Sequence, residues 1–207
     1  MLIFAHTGIP LGVIWLIQKT TDRIHSGQAY TNKSPVDNNN EIHMTIMKQM
    51  DDRRRIRWLD YRWLLFGSIL PDIIDKPLGT WLLRESLNNG KVFFHTLLFL
   101  IIVSIVGVSL YLFKKNWIML SIAIGCLAHL CLDEMWKYPQ TFLWPLPGFD
   151  FKNVNTSHWV QKIWESLFVN PAVYIPELIG FVLMACFFFV LIRHRKLYEF
   201  IKTGRVS

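Results

Sequence analysis

FGSILPDIIDKP, residues 66–77, is the stretch where an apolar run ends in two aspartates three residues apart. Three residues is close to one helical turn, so Asp72 and Asp75 lie on one helix face, where both carboxylates can share a cation. The apolar run reaches Leu70, Pro71 suits the first position of a following helix, and Pro77 suits an end. Helix-capping aspartates at a boundary turn would account for the stretch taken alone. The rest of the chain supplies His6, His95, His129, Asp133 and Glu177 at comparable positions, and these turn a possible cap into a candidate site.

Composition sets the class in which that site must work. With 52% hydrophobic residues, 15 Phe and 9 Trp in 207 residues, and a positive mean hydropathy, the chain reads as a small integral membrane protein. The expected fold is an all-α bundle of about five transmembrane helices with interfacial helices and loops. It forms one domain over residues 1–207, with residues 20–57 as a polar loop and amphipathic-helix insertion. The net charge of +7 does not indicate nucleic acid, because the basic residues sit beside apolar segments, where they orient helices and meet anionic lipid headgroups. Cys126, Cys131 and Cys186 lie in apolar runs without a paired spacing, so they imply packing rather than a disulfide framework.

Taken in order, residues 2–17 form an apolar first helix followed by Lys19 and Arg23, which places the N-terminus outside the cytoplasm. Residues 20–40 read as a polar loop, and 42–57 as a cationic amphipathic helix whose Arg53, Arg54, Arg55 and Arg57 face the cytoplasmic surface. A second helix covers 58–70. Residues 92–113 and 117–133 predict a transmembrane hairpin with a cytoplasmic Lys114-Lys115-Asn116 turn. Residues 172–192 span again and end in Arg193, His194, Arg195 and Lys196, which predicts a cytoplasmic C-terminus. The Trp- and Pro-rich segment 134–171 suits the outer interface.

This topology brings His6, Asp72, Asp75, His95, His129, Asp133 and Glu177 to one membrane face, although the charge rule that places them makes no reference to metal chemistry. Ionisable groups within membrane helices are costly and point to function. His129 and Asp133, in HLCLD, are one turn apart and suit two ligands of one ion or a supporting hydrogen bond. Glu177, alone in an apolar run, suits either metal ligation or a bond between helices. Gly8 and Gly12, below His6, permit close helix approach. Lys76 and Arg84 could meet an anionic substrate, but snorkelling to headgroups is the favoured reading. Imidazoles and carboxylates without thiolate suit Zn2+, with Mn2+ or Fe2+ as alternatives, and Asp75 or Asp133 could act as general base if not ligated.

The early His6, then GSILPDIID at residues 67–75, His95, and HLCLD at 129–133 together resemble the predicted membrane-bound metal-dependent hydrolases. The run DEMWKYPQTFLWPL, residues 133–146, also resembles the segment after that last motif. The family is more distantly similar to zinc-dependent phospholipase C. The resemblance covers most of the chain outside residues 20–57. It implies His6, Asp72, Asp75, His95, His129 and Asp133 as metal ligands, with Glu177 more loosely. Where many relatives carry HRGxTHS, this chain has only Phe94, His95 and Thr96. The implied function is metal-dependent hydrolysis of a phosphate ester or lipid-linked substrate at the outer leaflet of the inner membrane. A non-enzymatic metal-binding or transport protein is the alternative, and the almost purely apolar runs 101–113 and 182–192 argue against an ion path.

Overall fold

The computed structural model describes residues 3–31, 59–83, 89–148 and 159–205. The expected amphipathic helix over 42–57, its arginine cluster and Arg84 lie outside the described residues. Regular structure among the described residues is helical. The helices are α1 (Ile3–Thr31), α2 (Tyr61–Pro77), α3 (Leu97–Lys114), α4 (Ile118–Leu132), the short α5 (Pro139–Phe142), α6 (Trp159–Val169), α7 (Pro171–Arg193) and α8 (Leu197–Thr203).

Three boundaries differ from the sequence reading. Helix α1 continues to Thr31, through the first part of the segment expected to be loop. Helix α2 does not stop at Leu70 but runs through Pro71 to Pro77 and on into one π-helical turn, Leu78–Leu82. Pro71 lacks an N–H for the carbonyl of Gly67, and Cys126 Sγ on α4 donates to that oxygen at 3.3 Å instead. Helix α3 begins at Leu97 rather than Val92, because the backbone N–H groups of residues 92–95 are turned toward Asp75 and Thr96 caps the helix through Phe99 N.

Helices α2 and α4 pack along one another, as do α1 and α7, while α3 lies against α4. Glycines allow the closest approaches: a Cβ on Gly8 would sit 1.9 Å from the Gly180 carbonyl oxygen, and one on Gly125 would sit 2.4 Å from that of Leu64. One end of the bundle gathers the start of α2, the start of α4 and the end of α7. Asp60 N donates to Ser121 Oγ, and Leu59, Tyr61, Leu64, Phe187, Leu191 and Phe200 form a buried core there. Tyr61 also bonds Gln18 of α1, and its N–H reaches the Gly204 carbonyl beyond α8. The Lys114-Lys115 turn joins α3 and α4 at this same end. At the other end meet the start of α1, the end of α2, the start of α3, the end of α4 and the start of α7, so among the described residues these helices alternate in direction.

Among the described residues, α3 and α7 are long and apolar enough to cross a membrane. Their outward faces, including Ile101, Ile102, Ile105, Phe181, Val182 and Phe189, are exposed, as expected of surfaces facing hydrocarbon. Helix α4 is apolar but has 15 residues, and α2 has 17.

Candidate metal centre

The end opposite the basic turn holds the polar cluster. One ligand atom each from Asp72, His95, His129 and Asp133 lies within 4.8 Å of all the others. Asp72 comes from the last turn and a half of α2, His95 from the loop before α3, and His129 and Asp133 from the end of α4. Both imidazoles are fully buried, and the Asp133 side chain is 3% exposed.

The ring orientations are fixed from behind. His129 Nδ1 lies 2.7 Å from the Ser68 carbonyl oxygen, which can only accept, so Nδ1 carries the hydrogen. Pro71 contributes by disturbing the α2 ladder where it faces α4. His95 Nδ1 lies 2.7 Å from Asp75 Oδ2. Both Asp75 oxygens already accept backbone N–H groups from residues 92–95, so His95 Nδ1 is again the donor. Each ring therefore turns Nε2 inward, and the two Nε2 atoms lie 3.1 Å apart. Two imidazole lone pairs do not face each other at that distance unless a proton or a cation lies between them. Around them stand Asp72 Oδ1, 3.5 Å from His95 Nε2, and Asp133 Oδ2, 3.6 Å from it.

His6 joins the same group from α1. Its ring stacks on His129 with centroids 4.2 Å apart, and Nε2 lies 3.2 Å from Asp133 Oδ1, within ion-pair range but not aligned for a hydrogen bond. At 1% exposure, neither ring nitrogen has a hydrogen-bond partner. Buried polar atoms in that condition are rare in folded proteins.

Two of the sequence-predicted ligands are employed elsewhere. Asp75 lies outside the four-residue group that includes Asp72. It is fully buried in a nest of backbone N–H groups and reaches the cluster only through His95, whose opposite nitrogen faces Asp72. Glu177 Oε2 accepts from Phe4 N and Ala5 N at 3.0 and 3.3 Å, which satisfies first-turn donors of α1 and pins the helix that carries His6. The lysine reading also changes. Lys76, read as snorkelling to headgroups, pairs with Asp72 Oδ2 at 2.6 Å, one turn along α2. Lys91, which sequence reasoning passed over, pairs with Asp133 Oδ2 at 2.7 Å. The Asp72–Lys76 spacing was visible in the sequence as an i,i+4 pair. Nothing local marked Lys91 or the Ser68 carbonyl.

His95 precedes α3 and Asp133 caps α4, so both lie outside the apolar helices. Burial would lower the His95 pKa, but Asp72 and Asp75 outweigh it and raise it above the ordinary imidazole value. Burial opposes ionisation of Asp133, yet His6 and Lys91 outweigh it and hold that carboxyl well below the usual range.

The family model of YdjM inner membrane proteins matches residues 27–200, most of the chain. The chain belongs to the YdjM inner membrane protein family. No curated protein and no solved structure matches it. The match takes in every candidate ligand except His6, which lies ahead of it, and makes this an inner membrane protein. The YdjM family description itself carries no reaction, metal or substrate.

Proposed function

We propose that this YdjM-family chain is a metal-dependent hydrolase acting on a phosphate ester, most naturally one attached to lipid. The observation that carries the reading is the pair of inward Nε2 atoms 3.1 Å apart, each held by an acceptor behind it, with a carboxylate oxygen on either side. That is how metal-binding imidazoles are supported in proteins: the rear N–H is bonded and the front nitrogen is left for the ion. Asp72, His95, His129 and Asp133 would hold it, and the nitrogen-oxygen donor set suits Zn2+, with Mn2+ or Fe2+ as alternatives. A divalent ion there supplies Lewis acidity and a water activated for attack near neutral pH.

The chain's own residues do the rest. Asp75 and the Ser68 carbonyl hold the two rings in one tautomer, so Asp75 is a positioning residue and not the base. With Asp133 facing the ion, His6 would stand beside it, its Nε2 3.2 Å from Asp133 Oδ1. Phe4, Leu167, Phe168, Tyr174, Leu178 and Phe181 line a shallow apolar groove of about 430 Å³ that also reaches Glu177, and it would suit a hydrocarbon chain.

The orientation follows from the basic turn and the basic end of α7, which the positive-inside rule assigns to the cytoplasm. The metal centre then faces outward, with five crossings, the N-terminus outside and the C-terminus inside. At 1.5 Å per residue α2 and α4 are about 25 and 22 Å long, short of the roughly 30 Å hydrocarbon core, so the centre would lie below the outer surface. A conduit for ions is disfavoured by the apolar floor of Val103, Ile122, Ala123 and Cys126.

The test is metal content and phosphate release with detergent-purified protein, using lipid phosphates and chelation followed by Zn2+ or Mn2+. Asp72→Ala and His129→Ala should each lose the metal and the activity while still inserting, because apolar length drives insertion. Activity that survives both variants, or that ignores the chelator, would overturn the reading.

A further inference from the structure

The two lysines at the rim raise a question that the ligand set does not answer. Lys76 Nζ takes the outer oxygen of Asp72, Oδ2, while Oδ1 faces the imidazoles. Lys91 Nζ binds the Asp133 oxygen that also faces His95. Both lysine side chains are about one-third exposed (34% and 33%), whereas the two carboxylates are 17% and 3% exposed. The ammonium groups therefore mark the boundary between the buried cluster and whatever enters it. Lys91 is also held in place: its N–H donates to Asn89 Oδ1, and its ammonium lies 5.2 Å from the centre of the Tyr138 ring.

Neutralising buried carboxylates would be reason enough for two lysines if nothing else did so. A divalent ion bound by Asp72 and Asp133 does the same work. Counting Asp75 behind His95 with Asp72 and Asp133, three carboxylates and two ammoniums leave the group at one negative charge, and a divalent ion would take it to one positive charge. Without the lysines the loaded centre would be negative and would repel an anion. The geometry points to Lys76 and Lys91 as the residues that select an anionic, phosphate-type substrate: with Asp72 and Asp133 engaged by an ion, the two ammonium groups would be released to meet the incoming anion. This rests on the metal reading above and extends it to substrate choice.

The probe is inorganic phosphate, titrated calorimetrically into Zn2+-loaded, detergent-purified protein whose metal content has been measured. Wild-type protein should bind it. Lys76→Gln and Lys91→Gln should each weaken binding about tenfold, as expected for loss of one charge-assisted bond, with metal content unchanged. Lys76→Arg and Lys91→Arg should restore most of the affinity. In turnover, the glutamine variants should raise KM more than they lower kcat. A lipid phosphate in micelles and a water-soluble phosphate ester, run in parallel, distinguish the two sources of the same anion: a lysine effect confined to the lipid assigns the headgroup, and an equal effect on both assigns free phosphate esters as well. Unchanged phosphate affinity in the double glutamine variant, or loss of metal along with the lysines, overturns the inference and leaves the metal centre standing. Absence of metal from wild-type protein removes both.

Discussion

Replacing Asp75 by asparagine keeps the shape of the side chain and substitutes an NH2 for one oxygen, in a place where every neighbour is a donor. Oδ2 accepts from Val92 N at 2.9 Å, Phe94 N at 3.0 Å, His95 N at 3.1 Å and His95 Nδ1 at 2.7 Å, while Oδ1 accepts from Phe93 N at 3.2 Å and Phe94 N at 3.1 Å. The amide nitrogen therefore settles at Oδ1, because Phe94 N keeps its second acceptor there and only Phe93 N is orphaned. Two groups, that N–H and the new NH2, then lack acceptors at a fully buried residue. At about 1–3 kcal/mol each this costs roughly 2–6 kcal/mol, toward the lower end because Phe93 is half-buried. His95 keeps a neutral acceptor behind Nδ1 in place of a charged one, so metal affinity should fall by roughly 10- to 100-fold without disappearing. Chelator competition for Zn2+ gives the affinity, and unfolding in mixed micelles gives the stability. Affinity within twofold of wild type would refute the positioning role. Complete loss of metal, as expected for Asp72→Ala, would make Asp75 a ligand after all.

Gly125→Ala places a methyl 2.4 Å from Leu64 O and 2.7 Å from Ser68 N, forcing α2 and α4 apart one turn before His129; it should cost about 1–3 kcal/mol or more and weaken metal binding through the Ser68 carbonyl. Gly107→Ala, whose methyl would meet nothing closer than 3.1 Å, should cost less than Gly125→Ala in the same unfolding assay and leave the metal affinity unchanged. In a cysteine-free background, Gln140→Cys should label from outside intact cells and Asn116→Cys only after permeabilisation, both positions being exposed; the reverse pattern would invert the proposed orientation.

Membrane class, helical architecture and the residues of the cluster were all legible in the sequence, for a physical reason. Apolar length and the placement of Lys and Arg are properties of segments, and a histidine or aspartate at the end of an apolar helix is conspicuous wherever the helix later packs. The positions of Asp72, His95, His129 and Asp133 needed only an alternating chain to bring them to one end. What each does there was not legible, because roles depend on the direction a side chain faces and on backbone groups with no sequence signature. Asp75 has the same side chain as Asp72, three residues away, yet it is absorbed by the turn ahead of α3, whose N–H groups need an acceptor once the chain leaves helical geometry. Glu177 is likewise taken by the start of α1. The Ser68 carbonyl reaches His129 because Gly67 and Gly125 let α2 and α4 touch, and Pro71 interrupts the ladder beside it. Lys91 meets Asp133 across 42 residues of chain. The sequence by itself determined which groups gather at this end of the bundle; only tertiary packing decided which turn inward, which stand behind them, and which remain at the rim.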